Sequence, residues 1–517
     1  MLDLGLTLCA AVARDRDALA LIDGQQRLTY GALHQVVSAL VASFDDLGLV
    51  QGDRLVTLLQ NRAEAAIVHW ACQLAGIVVT PLNWRIKADE LDFCLADAEA
   101  SALVYEAAAV DAVARSRLAP HRRRIALDAG SGDPPWRDAV ARSASPAAPR
   151  AGAEQLSVLF YTSGTTGRPK GVPRRHRAER AAAVAHVTQN LYGRAERTLG
   201  VMPLYHTMGV RSLLAMALIG GTFVCLPRFA AGRALELIAS EHITNLYLVP
   251  TLYHDLLEHP SFAVSDVRSV RKLGFAGAPM TDALLRSLDA AFKPELFVNH
   301  YGCSEIYTLT VEQRAANKPG SAGRAGLNQL VCVARLNARS PAELAAPGEE
   351  GEIIALLASD EAFDGYWRRP DADANALREG WYFTGDTGYV DTDGDLFVTG
   401  RVDDLIITGG ENVSPVEIES CLSLHPCVAE VAVVGLADAR WGKIIAAFIK
   451  RRAPVAAADL DAFCRASGLA DFKRPRQYVF VAELPKSPVG KLLRRKLVAG
   501  EHDPEAAPPS DAKGMLT

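Results

Sequence analysis

Residues 161–172 read "YTSGTTGRPKGV", and their spacing poses a question about phosphate. The stretch is rich in glycine and hydroxyls, carries one lysine, and follows the apolar run "LSVLF". A strand that feeds such a loop usually holds phosphate, because small residues let backbone N–H groups approach an anion closely. The common phosphate loop needs G-x-x-x-x-G-K-[ST]. Here Gly164 and Gly167 are three apart, Lys170 follows another three on, and Gly171 replaces the hydroxyl that would hold magnesium. A different phosphate chemistry is called for.

At 517 residues the chain is too long for one core, so two or more domains are expected. Hydrophobic content of 49% and charged content of 22% are ordinary for a globular protein. The net charge of −5 gives no global attraction for nucleic acid or an anionic membrane, so an anionic ligand needs local positive charge. Nine cysteines are scattered with no C-x-x-C and no His/Cys cluster of metal-ligand spacing, which reads as buried thiols in a reducing compartment. The N-terminal "MLDLGLTLCAAVARDRD" lacks the basic start of a signal peptide. The longest apolar run, residues 213–227, is broken by Gly220 and Gly221. It falls short of the roughly 18 residues of a membrane span and reads as a buried helix, a turn and a strand. The expected location is cytoplasmic.

Along the chain, "YGALHQVVSALVASFDDLGL" places Leu33, Val36, Val37, Leu40, Val41, Phe44 and Leu47 at helical spacing. "DRLVTLLQN" and "GIVVTPLN" read as strands around the helical "EAAIVHWACQLA". The alternation recurs at "TFVCLP", "ITNLYLVP" and "VRKLGFAGAPM", which argues for layered α/β sheets. Residues 130–155, rich in Pro, Ala and Ser, read as a surface connection into the glycine loop. From about Gly380 short alternating strands surround "DTDGD", a hairpin signal. After "GRVDD" the pattern restarts with its own helix, "SPVEIESCLSLHP", and strand, "VAEVAVVGL". The expected units are residues 1–400, a junction at 401–404, and residues 405–517, whose polar tail frays.

Eight stretches stand in one order: "YTSGTTGRPKGV", "PLYHT", "AGAPM", "HYGCSE", "YFTGD", "GRVDDLI", "TGGENVSPVEIE" and "PVGKLLRRKL". Together they resemble the adenylate-forming superfamily of acyl- and aryl-CoA ligases, peptide-synthetase adenylation domains and luciferases. The resemblance runs from "RLTYGAL" to "KLLRRKL". It implies an α/β fold: a large N-terminal domain of layered sheets and helices with a small barrel-like subdomain, then a small mobile α+β C-terminal domain. The chemistry is coherent. A carboxylate is a poor electrophile because its leaving group would be oxide; joining it to AMP supplies a good one, and a thiol then attacks the carbonyl.

The resemblance also implies roles. Thr162, Ser163, Gly164, Thr165, Thr166 and Gly167 would wrap the ATP phosphates, with Lys170 adding charge. Gly277, Ala278, Tyr301, Gly302 and Ser304 would line the nucleotide, Tyr301 stacking on adenine; the family usually has threonine where Ser304 stands. Glu305 would bind Mg²⁺, a hard cation suited to carboxylate oxygen. Asp386 and Arg401 would hold the ribose, Asp403 would be the hinge, and Lys491 the catalytic lysine. Gly409 and Gly410 would open a path for pantetheine, Trp441 would pack along it, and Arg85, Lys473 and Arg474 would meet the CoA phosphates. His206, a second catalytic candidate, would also line the acyl pocket, with Arg211, Met280, His300 and Ile306. "GLADARWGK" and "LADFKRPRQY" are similar to the 4-chlorobenzoate and related benzoate–CoA ligases.

The expected reaction is therefore carboxylate plus ATP, with Mg²⁺, to acyl-AMP and pyrophosphate, then displacement of AMP by CoA, the acid being aromatic. Alternatives are a fatty acyl-CoA synthetase, an enzyme that loads a carrier protein's pantetheine and, last, a non-catalytic nucleotide-binding protein. No nucleic-acid partner is expected, and the oligomeric state stays open, a homodimer included. Two readings concern charge. Arg174, Arg175, Arg177 and Arg180 read as a solvated helix face. His300 and Arg211 read either as a satisfied structural histidine and a solvent-facing helix start, or as recognition groups for a polar or anionic substituent on an aromatic acid.

Overall fold

The apolar runs of the larger, N-terminal part of the chain pair into two sheets. The structure, a computed structural model, describes residues 2–128, 132–162, 169–408, 411–467, 469–486 and 492–505. Among these, one sheet has six strands in the order Arg123–Ala126, Ala102–Tyr105, Arg54–Leu58, Val78–Pro81, Leu156–Thr162 and Lys170–Arg175. Its neighbours run parallel except the last two, which flank the glycine loop and set Thr162 opposite Lys170.

The second sheet has a parallel half, built from Leu19–Asp23, Thr222–Cys225, Arg197–Gly200, Asn245–Leu248, Lys272–Phe275 and Leu296–Tyr301. Antiparallel strands continue it through Thr310–Glu312, Ser321–Ala325, Leu396–Arg401, Trp381–Val390, Gly351–Leu356 and Val331–Arg335. Among the described residues these antiparallel strands extend the large sheet edge to edge. Thr222–Cys225 and Asn245–Leu248 are buried at every position, the pattern of parallel strands covered on both faces.

Helices fill the space between the sheets. Ala63–Ala75 is apolar nearly all round, and every residue but Glu64 is buried. It shares one core with Val79 and Phe160 of the smaller sheet and Leu21 and Phe223 of the larger. The run 213–227 resolves as expected: the helix Thr207–Ile219 stops at Gly220, whose φ of 68° suits glycine, and the strand begins at Thr222. Among the described residues no helix is long and apolar enough to cross a membrane.

After Arg401 a short 3₁₀ turn, Val402–Asp404, leads to a separate five-stranded sheet that begins at Ile406. Its long hairpin, Val428–Asp438 with Gly442–Arg451, splits its side chains by the two-residue period of a strand. Val433, Ala447 and Ile449 face Ile418, Leu422 and Leu460, while Ala432, Val434 and Phe448 face Val481 and Leu497. The tail beyond residue 505 lies outside the described residues.

The reading of Arg174 as part of a solvated helix face is corrected. Arg174 lies in the strand Lys170–Arg175 with 0% of its side chain exposed, paired with the equally buried Glu179 at 2.9 Å. It also donates to the carbonyls of Glu305 and Glu361, at 2.7 and 2.6 Å, and stacks 4.1 Å over the Tyr307 ring. Tyr307 in turn donates to Glu179 at 2.9 Å. Arg175 and Arg177 do behave as surface charges, pairing with Asp364 and Glu154. Removing one partner of a buried pair strands the other charge, at about 3–5 kcal/mol. Arg174→Ala should therefore lower the thermal midpoint markedly and Arg177→Ala hardly at all, as differential scanning fluorimetry would report.

Candidate functional site

In open parallel sheets ligands bind beyond the carboxyl ends of the strands. Three of the expected site segments leave such ends side by side: His206 follows Arg197–Gly200, Gly277 and Ala278 follow Lys272–Phe275, and Gly302 to Glu305 follow Leu296–Tyr301. Gly277 has a φ of 84°, and its missing side chain leaves Val249 3.4 Å from where a Cβ would sit. His206 caps the next helix, its Nδ1 accepting from the Met208 N–H at 3.3 Å. Gly302 is required for a local reason: an added Cβ would lie 2.2 Å from the Tyr307 carbonyl oxygen. The loop folds back on itself there, with the Cys303 N–H donating to the Ile306 carbonyl at 3.0 Å.

Tyr301, Asp386 and Arg401 come together. The Tyr301 hydroxyl donates to Asp386 at 2.7 Å, and Arg401 Nη1 lies 3.2 Å from the other carboxylate oxygen. Asp386 lies inside Trp381–Val390, directly across from Arg401 in the adjacent strand, beside a register shift at Thr387/Gly388. Gly385 before it has a φ of 72°, and an added Cβ would lie 3.0 Å from the Arg401 guanidinium. Burial and the nearby Asp386 charge push the Tyr301 hydroxyl well above its ordinary range, so it stays a donor. A cleft of about 580 Å³ opens beside Gly385 and Val402, lined also by Glu352, Arg378 and Arg339.

The side chain of Glu305 is held by a residue that the sequence reading did not single out, Tyr366. Tyr366 donates to its Oε1 at 2.7 Å, Lys170 lies 4.8 Å over the Tyr366 ring, and Arg174 grips its backbone carbonyl. Trp367 fixes the same segment to the glycine-loop hairpin: its backbone N–H donates to the Gly171 carbonyl at 2.8 Å. A Cβ on Gly171 would strike the Trp367 Cβ at 2.8 Å. The available signal was "DGYW", an aromatic pair after a glycine in an otherwise polar stretch. A buried carboxylate with one oxygen pinned by a phenol, next to a lysine, is a hard-oxygen donor set that fits Mg²⁺ carrying nucleotide phosphates.

Toward the sheet interior, His300 and Arg211 are buried. Arg211 is not a solvent-facing helix start: it is 2% exposed and bonded to Thr308, Tyr247 and, at 3.5 Å, the Tyr307 carbonyl. His300 is 1% exposed and engages Asn190 through Nε2, but its Nδ1 has no protein partner, so it is not a satisfied core histidine. Met280 packs with Phe275 and Tyr253, whereas Ile306 packs in the central core with Phe160.

In the C-terminal part, Arg440 and Arg476 flank the Trp441 ring at 4.9 and 4.4 Å. Lys473 pairs with Glu417, and Arg474 with Asp461 and Asp471, so a CoA phosphate would have to compete with carboxylates at both. Arg85 stacks 3.8 Å over Trp84, which Arg228 meets from 4.4 Å. Ser163, Gly164, Thr165, Thr166, Gly167, Gly409, Gly410, Lys491 and the Asp403 side chain lie outside the described residues. Asp391, Asp393 and Asp395 cluster at the hairpin tip, but the Lys318 ammonium lies within 3.0 Å of all three.

Comparison with known proteins agrees with this arrangement. The AMP-binding enzyme family matches residues 8–367, and the AMP-binding enzyme C-terminal domain matches residues 417–491. A 4-chlorobenzoate–CoA ligase of an Arthrobacter species is 33% identical over 505 residues, covering 94% of this chain and 92% of its own. A long-chain fatty-acid–CoA ligase of Mycobacterium tuberculosis is 32% identical, covering 91% and 92%. The solved anthranilate CoA ligase AuaEII, in complex with anthranoyl-AMP, superposes with a TM-score of 0.90 at 25% identity, covering 97% of both chains. A family match over residues 8–367 and relatives aligned along nearly the whole chain leave one assignment: the chain belongs to the AMP-binding enzyme family, the AMP-forming acid–thiol ligases.

Proposed function

We propose that this enzyme is an ATP-dependent aryl-acid–CoA ligase. The Tyr301–Asp386–Arg401 cluster carries the reading: a carboxylate oriented from both sides, at the lip of the parallel sheet, is built to accept two vicinal hydroxyls such as those of ribose. Lys170 and the segment through Gly167 would hold the β- and γ-phosphates, and Glu305, oriented by Tyr366, would hold Mg²⁺. When bound, Mg²⁺ supplies charge neutralisation on the phosphates. A substrate carboxylate oxygen attacks the α-phosphorus and pyrophosphate leaves; the CoA sulfur then attacks the acyl carbon, its proton passes to solvent, and AMP leaves. Lys491 would be the cation aimed at the first transition state, and the glycines of "TGGENVSP" would admit the thiol for the second. Rotation about Asp403, in the short turn between the two sheets, would exchange those faces, with residues 1–400 and 405–517 as the moving bodies. We place this activity in the cytoplasm.

Two observations favour an aromatic acid over a long alkyl chain. One is the similarity to a 4-chlorobenzoate–CoA ligase. The other is that the rings of His186, Tyr247 and His300 pack against one another at 4.7–5.3 Å behind the strand end, an aromatic surrounding that suits a flat ring. The similarity to a fatty-acid–CoA ligase supports the second reading, an aliphatic substrate. Mass spectrometry of the products from ATP, CoA and a panel of benzoates and fatty acids separates the two: aryl thioesters are expected, and products from the fatty acids alone would refute the aryl reading. In the same assay Asp386→Ala should raise the KM for ATP by about 10–100-fold, the worth of charged hydrogen bonds of about 1.5–3 kcal/mol. An unchanged KM would remove Asp386 from the ribose.

A further inference from the structure

Behind Tyr301 the sheet interior holds a group of polar side chains whose hydrogen bonding is incomplete. His186, Asn190, Tyr247 and His300 are each 1% exposed, and Arg211 adjoins them. The two imidazoles lie 5.2 Å apart, centroid to centroid, with the Tyr247 ring against both. Gly274, in the strand between Tyr247 and His300, makes room: a Cβ there would lie 3.0 Å from the Tyr247 ring and 3.4 Å from the Asn190 amide oxygen.

Asn190 determines which atoms are left over. Its amide nitrogen lies 2.8 Å from the His186 carbonyl, 3.0 Å from His186 Nδ1 and 3.0 Å from His300 Nε2, three neighbours for two hydrogens, and its amide oxygen lies 3.2 Å from the same His300 Nε2. Asn190 thus engages His186 Nδ1 and His300 Nε2 and leaves over the other nitrogen of each ring. Burial, together with the Arg211 charge, holds both imidazoles far below their ordinary pKa, so both are neutral. His186 Nε2 and His300 Nδ1 have no protein partner. Two ring nitrogens, each a donor or an acceptor according to the ring's tautomer, thus remain unsatisfied in adjacent buried rings, an arrangement that is unfavourable until something pairs with them.

A hydroxyl group both donates and accepts, and so can pair with either nitrogen whichever tautomer its ring adopts. Net charge argues against a second carboxylate. The guanidiniums of Arg174 and Arg211 are already faced by the carboxylates of Glu179 and Glu361, so the region is balanced and an added anion would not be. We propose that this cluster recognises a neutral hydroxyl substituent, and that the preferred substrates are hydroxylated aromatic acids. The inference rests on the aryl–CoA ligase reading above.

The test is pyrophosphate release by the full-length enzyme with benzoate, 4-chlorobenzoate and the 2-, 3- and 4-hydroxybenzoates, for wild type, His300→Ile and His186→Phe. Wild type should favour one hydroxybenzoate over benzoate in kcat/KM by on the order of 100-fold or more, since a site built to bond a hydroxyl rejects the analogue that lacks it. Both variants should lose that preference, the ratio of kcat/KM for the favoured hydroxybenzoate to that for benzoate falling toward one. A wild-type profile flat across the hydroxyl series overturns the inference even if the variants fail to fold. So does a preference that survives in folded His300→Ile. Turnover of none of the five benzoates would instead refute the aryl reading itself.

Discussion

Lys491→Ala should lower pyrophosphate release by on the order of 100- to 1,000-fold while sparing thioester formation from supplied acyl-AMP. The asymmetry follows from what each half-reaction needs. In adenylation, negative charge of the carboxylate and the α-phosphate converges, and a positioned cation there is stronger in the transition state than in the ground state. In thioester formation AMP departs from an ester already made, and the proposed rotation about Asp403 has carried Lys491 away. Lys491 ends the C-terminal match at residues 417–491 and follows Gly490 in "PVGK". The neighbouring basic run does other work: Arg494 donates to both Glu419 oxygens at 2.7 Å and to the Val433 carbonyl, holding a helix to the C-terminal hairpin. Arg494→Ala should accordingly destabilise that part of the chain rather than divide the half-reactions. Stopped-flow measurement of each half-reaction decides the matter, and an equal fall in both by folded Lys491→Ala would count against the assigned role.

Gly410→Leu should give the mirror image, with adenylation close to wild type and thioester formation reduced by about 100-fold or more. A thin pantetheine arm needs a path without side chains, and an isobutyl group would fill it. Misplacement of a reacting group by an ångström already costs on the order of 100-fold. Acyl-AMP should accumulate in this variant on incubation with ATP and acid, visible by mass spectrometry, with CoA left unconsumed. A normal thioester rate would take "TGGENVSP" out of the thiol's path.

What the sequence made legible was local. The parallel strands, the buried helix Ala63–Ala75 and the hairpin around "DTDGD" depend on periodicity and turn chemistry within about a dozen residues, and the structure has them where expected. Tyr301, Asp386 and Arg401 were recognised through motifs, yet their convergence is a matter of sheet pairing: Asp386 and Arg401 face each other across a ladder. What the sequence hid were buried charges with distant partners. Arg174 looks like one more arginine in "RRHRAER", because the carbonyls that hold it belong to residues 131 and 187 positions away. Arg211 looks like a helix-start charge because its partners, Tyr247 and Thr308, lie on other elements. Tyr366 and Trp367 stand out only as the aromatic pair of "DGYW", too short a pattern to foretell their grip on Glu305 and on the glycine-loop hairpin.

The most direct test of the account is ATP–pyrophosphate exchange by the purified enzyme without CoA. Labelled pyrophosphate should enter ATP only when an aromatic carboxylate and Mg²⁺ are present, because adenylation is complete and reversible before the thiol takes part. Exchange that requires CoA, or that proceeds equally without any carboxylate, would contradict a two-step mechanism through an acyl-adenylate.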